Sequence, residues 1–415
     1  MSEATIRMYN VGFGDCFLLR LPAEDGERKV HFDCGSHSAS KRPRKMSEVV
    51  GQIVEDVRDA DGTPRIDVVV GTHRHQDHVS GFSDEQWAEV EVREVWMPWT
   101  EHPTDPEARR IREEQSRTAH RLAMSLQLSG DTSGLLELAE NQLTNAAAME
   151  TLHHGFAGSP RRRFLPGQPE EGEDPGDELA DSPLGGLGVR VLGPGRAEGV
   201  IRDMDPPVGE SYLRMSGILV EGEDALSSAF GDEWVVDEAE FRKGGAFEHL
   251  SLNGNVRSRL AKIASEDQLA VAVALEKAVN GTSLVIAFAI GQAVLLFPAD
   301  AQWGTWEAIL SDDETRKLVG RTTFLKVGHH GSHNATPRDF VELLAERRGA
   351  DGDGLAAMVS TNTLKRWPKI PKAELLEALA EVTPRVARSD QGGGKRVKGF
   401  GHWGEDYIDL TVPLG

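Results

Sequence analysis

The chain has 415 residues, a formal net charge of −21 and two cysteines. That length is enough for one large hydrophobic core or for two to three smaller domains, and two cysteines exclude a disulfide-rich scaffold. The net charge opposes nonspecific binding to nucleic acid, because phosphate contacts need clustered Lys and Arg, although bound metal ions would add local positive charge.

The sequence carries no pattern typical of export or of membrane insertion. Its first residues lack a basic segment followed by an apolar one. No stretch reaches ~18 consecutive apolar residues, the length of a membrane-spanning helix. We therefore expect a cytoplasmic protein with no membrane partner, in which Cys16 and Cys34 are reduced thiols.

Short strands and turns dominate the first part of the chain. Residues 6–11 and 16–19 are apolar runs around a Gly-Phe-Gly-Asp turn, and residues 30–33 predict a third strand. Apolar residues then recur at helical spacing over 46–57. This helix links the third strand to the short, β-branched run 66–70, so the segment predicts a βαβ unit.

Four side chains that can bind metal follow the run 66–70 directly. The segment 72–78 reads Thr-His-Arg-His-Gln-Asp-His, and it lies in the loop after a strand, where α/β folds place their chemistry. His73 and His75 can share one ion, while Asp77 and His78 can face a second. An isolated histidine is usually structural, but ligands at this density indicate a metal site.

The middle of the chain has the weakest patterns. Residues 105–154 predict a mainly helical stretch, and residues 189–192 predict a strand. Residues 155–187 are rich in Gly, Pro and charge, and we interpret them as a mobile acidic loop. The arginine run 161–163 is then a solvated part of that loop rather than a nucleic-acid site. Residues 203–270 show no clear pattern.

A second set of candidate ligands follows two strands in the last third of the chain. Residues 283–297 predict a β-hairpin with a two-residue turn that contains glycine. Asp300 comes directly after it, where a buried carboxylate is costly unless it is paired or bound to metal. Residues 323–327 predict another strand, and His329 and His330 follow that strand.

The pattern His73-x-His75-x-Asp77-His78 resembles the signature of the metallo-β-lactamase superfamily. Two further segments resemble the branch that contains the hydrolase domain of the competence channel protein ComEC, namely Val-Gly-x-Gly-Asp at 11–15 and Leu-Lys-Val-x-His-His-Gly-Ser at 325–332. The resemblance covers roughly 1–98 and 280–412. It implies an α/β fold, the αββα sandwich of that superfamily, with residues 1–98 and 280–415 as the two halves of the core and 99–279 as a large, partly helical insertion.

The resemblance also implies roles for individual residues around two divalent ions, with Zn²⁺ as the first expectation. Asp300 would bridge both ions, and Asp77 would bind the second ion and orient the attacking water. One of His329 and His330 would complete the second site and the other would act as general acid. We favour His330 as the ligand and His329 as the acid. Asp33 would be a carboxylate behind the ligands, with a plain strand-end cap as the alternative.

Position 280 departs from the superfamily pattern. Members of the superfamily usually supply a third histidine to the first ion there, whereas this chain has Asn280, a departure shared with the ComEC-like branch. An amide is a poorer zinc ligand than imidazole and suits Mn²⁺ or Mg²⁺ better, so Asn280 would be a weak ligand or a substrate contact. We expect the first ion, at His73 and His75, to bind less tightly. His153 and His154 are alternative ligands within the predicted insertion.

Three functions stay open on the sequence alone. The favoured one, by analogy with the ComEC-like branch, is a nuclease or phosphodiesterase acting on nucleic acid or a nucleotide. The second is a hydrolase of small esters or lactones, which the acidic composition favours. The third is a partner-regulated module of a multi-protein system, such as a defence system, that binds a protein through residues 99–279.

Overall fold

The computed structural model describes residues 2–129, 136, 145–167, 178–197, 200–201, 268, 271–332, 334–348, 354–364 and 368–415. Most of the unassigned stretch 203–270 lies outside these ranges. The described chain is a mixed α/β fold with two mixed sheets, as the sequence predicts for the fold class. None of its helices is long and apolar enough to cross a membrane.

Fourteen strands lie in the described ranges. In chain order they are β1 Glu3–Tyr9, β2 Cys16–Ala23, β3 Gly26–Cys34, β4 Arg65–Val70, β5 Glu91–Pro98, β6 Arg161–Leu165, β7 Val189–Gly193, β8 Val285–Ile290, β9 Ala293–Phe297, β10 Phe324–Lys326, β11 Ala356–Val359, β12 Val386–Arg388, β13 Phe400–Trp403 and β14 Tyr407–Pro413. The first sheet has the order β13-β14-β1-β2-β3-β4-β5-β6, and the second has the order β12-β11-β10-β9-β8-β7.

Eight α-helices with defined ends accompany these strands in the described ranges. They are α1 Met46–Asp56, α2 Gln76–Val79, α3 Pro106–Ser129, α4 Ala146–His154, α5 Trp303–Ser311, α6 Asp313–Val319, α7 Arg338–Arg348 and α8 Ala373–Val382. The predicted helix over 46–57 is confirmed as α1, whose buried side chains include Val50 and Ile53. The predicted helical stretch 105–154 contains α3 and α4, and residues 130–135 and 137–144 between them lie outside the description.

The two sheets pack face to face, and helices cover their outer faces. Phe32 of β3 stacks on Phe297 of β9 with 4.1 Å between ring centroids, inside a core that both sheets share. Outside the first sheet, α1 contributes Ile53 to a second core. Outside the second sheet, a third core includes Trp306 of α5 and Leu379 of α8. The order of layers is therefore helices, sheet, sheet, helices.

Parallel strands bring the candidate ligands to one edge of the fold. β3 to β6 run parallel in the first sheet, and β9 to β12 run parallel in the second. The predicted hairpin is confirmed as β8 and β9, whose turn uses Gly291 at a φ of 57°, a backbone region that glycine enters without strain. The loops after β4, β9 and β10 carry the histidines and Asp300.

The interpretation of residues 155–187 as one mobile loop is wrong for residues 161–165, which form β6 at the edge of the first sheet. Arg163 is buried there. Its Nε and Nη2 donate to the two carboxylate oxygens of Glu94 on β5, at 2.9 and 2.8 Å. The arginine run is therefore partly a structural element, because a carboxylate on the neighbouring strand neutralises its central charge.

The range 99–279 contributes a strand to each sheet. β6 extends the first sheet beside β5, and β7 pairs with β8 at the edge of the second. The strand predicted at 189–192 is thus confirmed as β7. Local periodicity cannot assign these two strands to a core or to an insertion, since their partners lie in distant parts of the sequence.

Candidate metal centre

Three strand ends deliver the predicted ligands to one buried cluster. β4 leads into His73 and His75, and α2 carries Asp77 and His78. β9 leads to Asp300, and β10 leads to His329 and His330. Apart from His329, which is half-buried, these side chains are buried.

The ligand atoms of this cluster lie close enough to share metal ions. His78 Nε2 is 3.3 Å from Asp300 Oδ2, and His330 Nε2 is 3.0 Å from Asp77 Oδ2. His73 Nε2 lies 3.1 Å from His75 Nδ1. Two groups of three have ligand atoms within 4.8 Å of one another, one formed by His73, His78 and Asp300 and one by Asp77, His78 and His330. Each group could hold a metal ion.

Asp33 lies behind the cluster and fixes the orientation of His78. Its carboxylate accepts hydrogen bonds from the Thr72 backbone N–H at 2.8 Å and from the Thr72 hydroxyl at 2.7 Å. Its Oδ2 also lies 2.8 Å from His78 Nδ1. With Nδ1 held in this way, His78 Nε2 points toward Asp300. The predicted position of Asp33 behind the ligands agrees with this geometry. A plain strand-end cap would not include the contact with His78.

Several buried polar atoms at the cluster lack a hydrogen-bond partner among the described residues. Three of them are Asp77 Oδ1, His78 Nε2 and Asn280 Oδ1. A buried polar atom without a partner costs ~1–3 kcal/mol, so three at one place indicate a missing ligand. Carboxylate oxygens, imidazole nitrogens and amide oxygens are all atoms that bind divalent ions in proteins.

Carboxylates and imidazoles in the cluster shift one another's pKa values. Burial opposes charge on His78, but the carboxylates of Asp300, Asp33 and Asp15 outweigh it and raise the pKa of His78 well above its usual value. Burial likewise opposes charge on Asp77, yet His330 and His78 hold the pKa of Asp77 well below its ordinary range. The buried carboxylates therefore require positive charge nearby, which protonated histidines or bound cations can supply.

His73 and His75 have lowered pKa values, in contrast to His78. Burial is the largest cause that lowers the pKa of His73, and burial lowers the pKa of His75 to about 4. Both imidazoles are therefore neutral at pH 7, which is the form that binds metal. The Ser283 hydroxyl lies 3.4 Å from His73 Nδ1 on the side away from His75.

The backbone is strained at several strand ends around the cluster. Asp33, Ala299, His329 and His330 all have positive φ, between 47° and 53°, in the left-handed region that side chains other than glycine rarely adopt. Each costs on the order of 1–3 kcal/mol and persists only where the surrounding structure imposes it. Such strain is typical of sites where ligand positions matter more than backbone stability.

His329 and His330 occupy different positions. His330 is fully buried, its Nδ1 lies 2.9 Å from the Ser360 carbonyl, and its Nε2 faces Asp77. His329 lies at the edge of the cluster, with Nε2 3.8 Å from Asp300 Oδ2. The favoured assignment of His330 as ligand and His329 as acid fits these positions and stays a prediction.

Asn280 lies beside His329. Its Nδ2 is 3.5 Å from His329 Nε2, and the Glu276 carboxylate is 3.9 Å from the same imidazole nitrogen. The assignment of Asn280 as a weak ligand or a substrate contact stays a prediction. The alternative ligands His153 and His154 lie at the end of α4, where His153 Nε2 is 4.0 Å from Glu101 Oε2.

Sequence reasoning missed Asp15 and Lys326 as members of the site. Both are buried, and the Lys326 ammonium forms an ion pair with Asp15 Oδ2 while lying 3.6 Å from Asp300 Oδ1. Asp15 Oδ1 is in turn 3.6 Å from His330 Nδ1. The Gly-Asp turn at 11–15 and the lysine before the His-His pair carry the signal, but their sequence context predicts only a turn and a strand.

Arg74, between the two histidines of the first pair, fixes the loop. Its Nε donates to Glu101 Oε1 at 2.9 Å, its Nη2 donates to Glu101 Oε2 at 2.5 Å, and Asn145 donates to its carbonyl at 2.7 Å. This bidentate pair ties the ligand loop to the residues after β5. It keeps the charge of Arg74 away from the cluster.

A scan of the sequence against protein-family models finds no match, and a search of curated proteins finds no relative. The assignment of a function to this site therefore rests on its residues and geometry.

Proposed function

We propose that the chain is a metal-dependent hydrolase of the metallo-β-lactamase superfamily and that it cleaves phosphodiester bonds. The observation that carries the proposal is the convergence of His73, His78, Asp300, Asp77 and His330 into two adjacent groups that share His78. The order of layers, helices on both outer faces of two packed sheets, fits the αββα sandwich of that superfamily.

The residues fit a pair of divalent ions. His73, His75 and Asp300 would hold the first ion, while Asp77, His78 and His330 would hold the second, with Asp300 between the two. Two divalent ions need ligand atoms that other protein groups do not occupy, and Asp77 Oδ1 and His78 Nε2 have no hydrogen-bond partner among the described residues. Zn²⁺ suits this set of imidazoles and carboxylates, and Mn²⁺ is the alternative at the first site.

Bound metal ions would lower the pKa of a water molecule to about 7 and polarise the substrate oxygen. The side chains supply orientation and proton transfer. Asp77 Oδ2 lies 3.0 Å from His330 Nε2, and Asp77 Oδ1, which has no hydrogen-bond partner among the described residues, can accept a hydrogen bond from the attacking water and orient it. Asp33 keeps His78 in the tautomer that leaves Nε2 unprotonated.

His329 favours an anionic substrate over a neutral one. Burial is the largest cause that lowers its pKa, so the imidazole is neutral in the free protein. An anionic phosphodiester beside Nε2 adds negative charge and stabilises the imidazolium form, which can then protonate the leaving group. A neutral ester or lactone brings no such charge, so this role of His329 suits an anionic substrate.

The test compares substrates and one pair of variants. Metal-loaded protein is assayed on bis(p-nitrophenyl) phosphate, single-stranded DNA and RNA, and on p-nitrophenyl acetate and a lactone. Asp77→Asn should lower the rate of phosphodiester cleavage by ~10²–10⁴-fold, whereas Asp313→Asn, at an exposed carboxylate of α6, should leave it unchanged. If only the neutral esters are cleaved, the substrate class is wrong. If nothing is cleaved, the hydrolase itself is wrong.

A further inference from the structure

A second group of potential metal ligands lies beneath α1, on the outer face of the first sheet. Cys16 is the first residue of β2, Cys34 is the last residue of β3, and the two are direct cross-strand partners. His31 lies earlier on β3. A register shift between Cys16 and Phe17 and the positive φ of Asp33 make this end of the strand pair irregular, and Cys34 therefore lies on the same side as His31.

The distances in this group are close to those of a tetrahedral metal site. Cys16 Sγ is 4.0 Å from His31 Nε2, and the two sulfur atoms and the imidazole nitrogen all lie within 4.8 Å of one another. Met46 Sδ of α1 lies 3.9 Å from Cys34 Sγ. Metal–ligand bonds of about 2.0–2.3 Å place tetrahedral ligands about 3.5–3.8 Å apart, so a small contraction would bring the three atoms onto one ion.

The buried imidazole of His31 has weak polar contacts, with the Cys16 sulfur and with the backbone of Asp33. Its side chain is fully buried, and its Nδ1 lacks a hydrogen-bond partner among the described residues. The rings of Trp87, Phe82 and Tyr9 surround it, with centroids 5.4, 6.2 and 6.5 Å away. An apolar side chain would fill this space at lower cost, because a buried polar group without partners is destabilising.

We propose that Cys16, His31 and Cys34 form a zinc site separate from the hydrolytic centre, with Met46 beside the fourth position. On binding, each thiol releases its proton to solvent, and two thiolates balance the charge of one Zn²⁺. That neutrality suits a site buried among apolar side chains. A Cu⁺ ion on the same ligands would leave one uncompensated negative charge. Met46 is half-buried.

The zinc site would act as a clip behind the hydrolytic centre. Asp15 and Asp33 directly precede the two cysteines, and both carboxylates face His78, with their Oδ2 atoms 3.6 and 2.8 Å from its Nδ1. An ion that ties Cys16 to Cys34 would hold the two carboxylates at a fixed separation. The proposal does not depend on which reaction the hydrolytic centre performs.

The absorption of bound Co²⁺ distinguishes the cysteine site from the hydrolytic centre, because only the cysteine site offers sulfur ligands. The full chain, reduced and freed of metal, is titrated with Co²⁺ alone and followed by absorption. We expect a thiolate-to-cobalt charge-transfer band in the near ultraviolet, to which cobalt bound at the hydrolytic centre adds nothing. Stoichiometric Zn²⁺ should abolish the band. A band that persists when Zn²⁺ is added in excess would overturn the assignment to zinc.

Variants and a mass measurement complete the test. Cys16→Ser should lose the band, whereas Met46→Leu should keep it because both thiolates remain. Since Cys16→Ser can also impair folding, the wild-type titration decides by itself. A folded wild-type protein that binds Co²⁺ without a sulfur band would overturn the proposal. So would an intact mass showing that the two cysteines form a disulfide in protein purified without added oxidant.

Discussion

Replacement of Asp33 by asparagine tests how the fold prepares His78 for metal. Asp33 accepts three hydrogen bonds, two from Thr72 and one from His78 Nδ1. Asparagine retains one acceptor oxygen, which stays with the Thr72 N–H, and turns its NH₂ toward His78. That NH₂ can only donate, so His78 Nδ1 must accept and the proton moves to Nε2. Nε2 is the atom that faces Asp300, and a protonated nitrogen cannot bind a metal ion.

The size of the effect follows from the number of ligands affected. The substitution disables one imidazole through its partner and leaves the other ligands in place. Loss of such a partner weakens metal binding by ~10–100-fold, which corresponds to ~1.4–2.7 kcal/mol. The fold should survive, because asparagine has the shape of aspartate and keeps the backbone hydrogen bond that fixes Thr72.

Mn²⁺ is the appropriate probe, since it prefers oxygen and imidazole ligands and avoids the cysteine site. The electron paramagnetic resonance signal of free Mn²⁺ gives the dissociation constant directly. Thr72→Ser is the matched control, because it keeps the hydroxyl that donates to Asp33, and it should bind Mn²⁺ like the wild type. Equal affinity of Asp33→Asn and wild type, or an equal loss in Thr72→Ser, would refute the reasoning.

Three further substitutions test other parts of the structure. Lys326→Met leaves a buried aspartate unpaired and should destabilise the metal-free protein by ~3–5 kcal/mol in urea unfolding; an unchanged midpoint would show that the ion pair is unimportant. Arg163→Met leaves the buried carboxylate of Glu94 on β5 uncompensated and should lower the free energy of unfolding by up to ~3 kcal/mol in the same assay. The control Arg161→Met, at an exposed arginine, should leave that free energy almost unchanged. Equal effects of the two variants would contradict the position of β6. A Cβ at Gly35 would lie 2.5 Å from the His78 carbonyl carbon, so Gly35→Ala should lower activity by ~10²-fold. The control Gly401→Ala, whose Cβ meets only ordinary contacts, should keep its activity. Similar activities of the two variants would show that the ligand helix tolerates displacement.

The ligand loop was predictable because its signal is local. A β-branched run followed at once by dense ligands indicates both the strand and the site, and β4 with His73 and His78 is found as expected. The β8–β9 hairpin was predictable for the same reason, since two apolar runs flank a glycine turn.

The missed features depend on partners that are distant in sequence. Asp15 has the sequence context of a turn residue until Lys326, 311 positions later, is placed against it. Arg163 has the context of a loop residue until Glu94 on the neighbouring strand neutralises it. The two cysteines likewise give no indication of a cluster, because β2 and β3 must first pair before Cys16, Cys34 and His31 converge.

Crystals of the zinc-loaded chain, measured at the zinc absorption edge, test the central claim most directly. Anomalous difference density should show one peak among His73, His75 and Asp300 and a second among Asp77, His78 and His330, the two sets of residues proposed to hold the ions. Two peaks at these positions are the result that we predict. Zinc-loaded crystals with no anomalous peak within bonding distance of His78 would contradict the metal centre, and with it the proposed hydrolase.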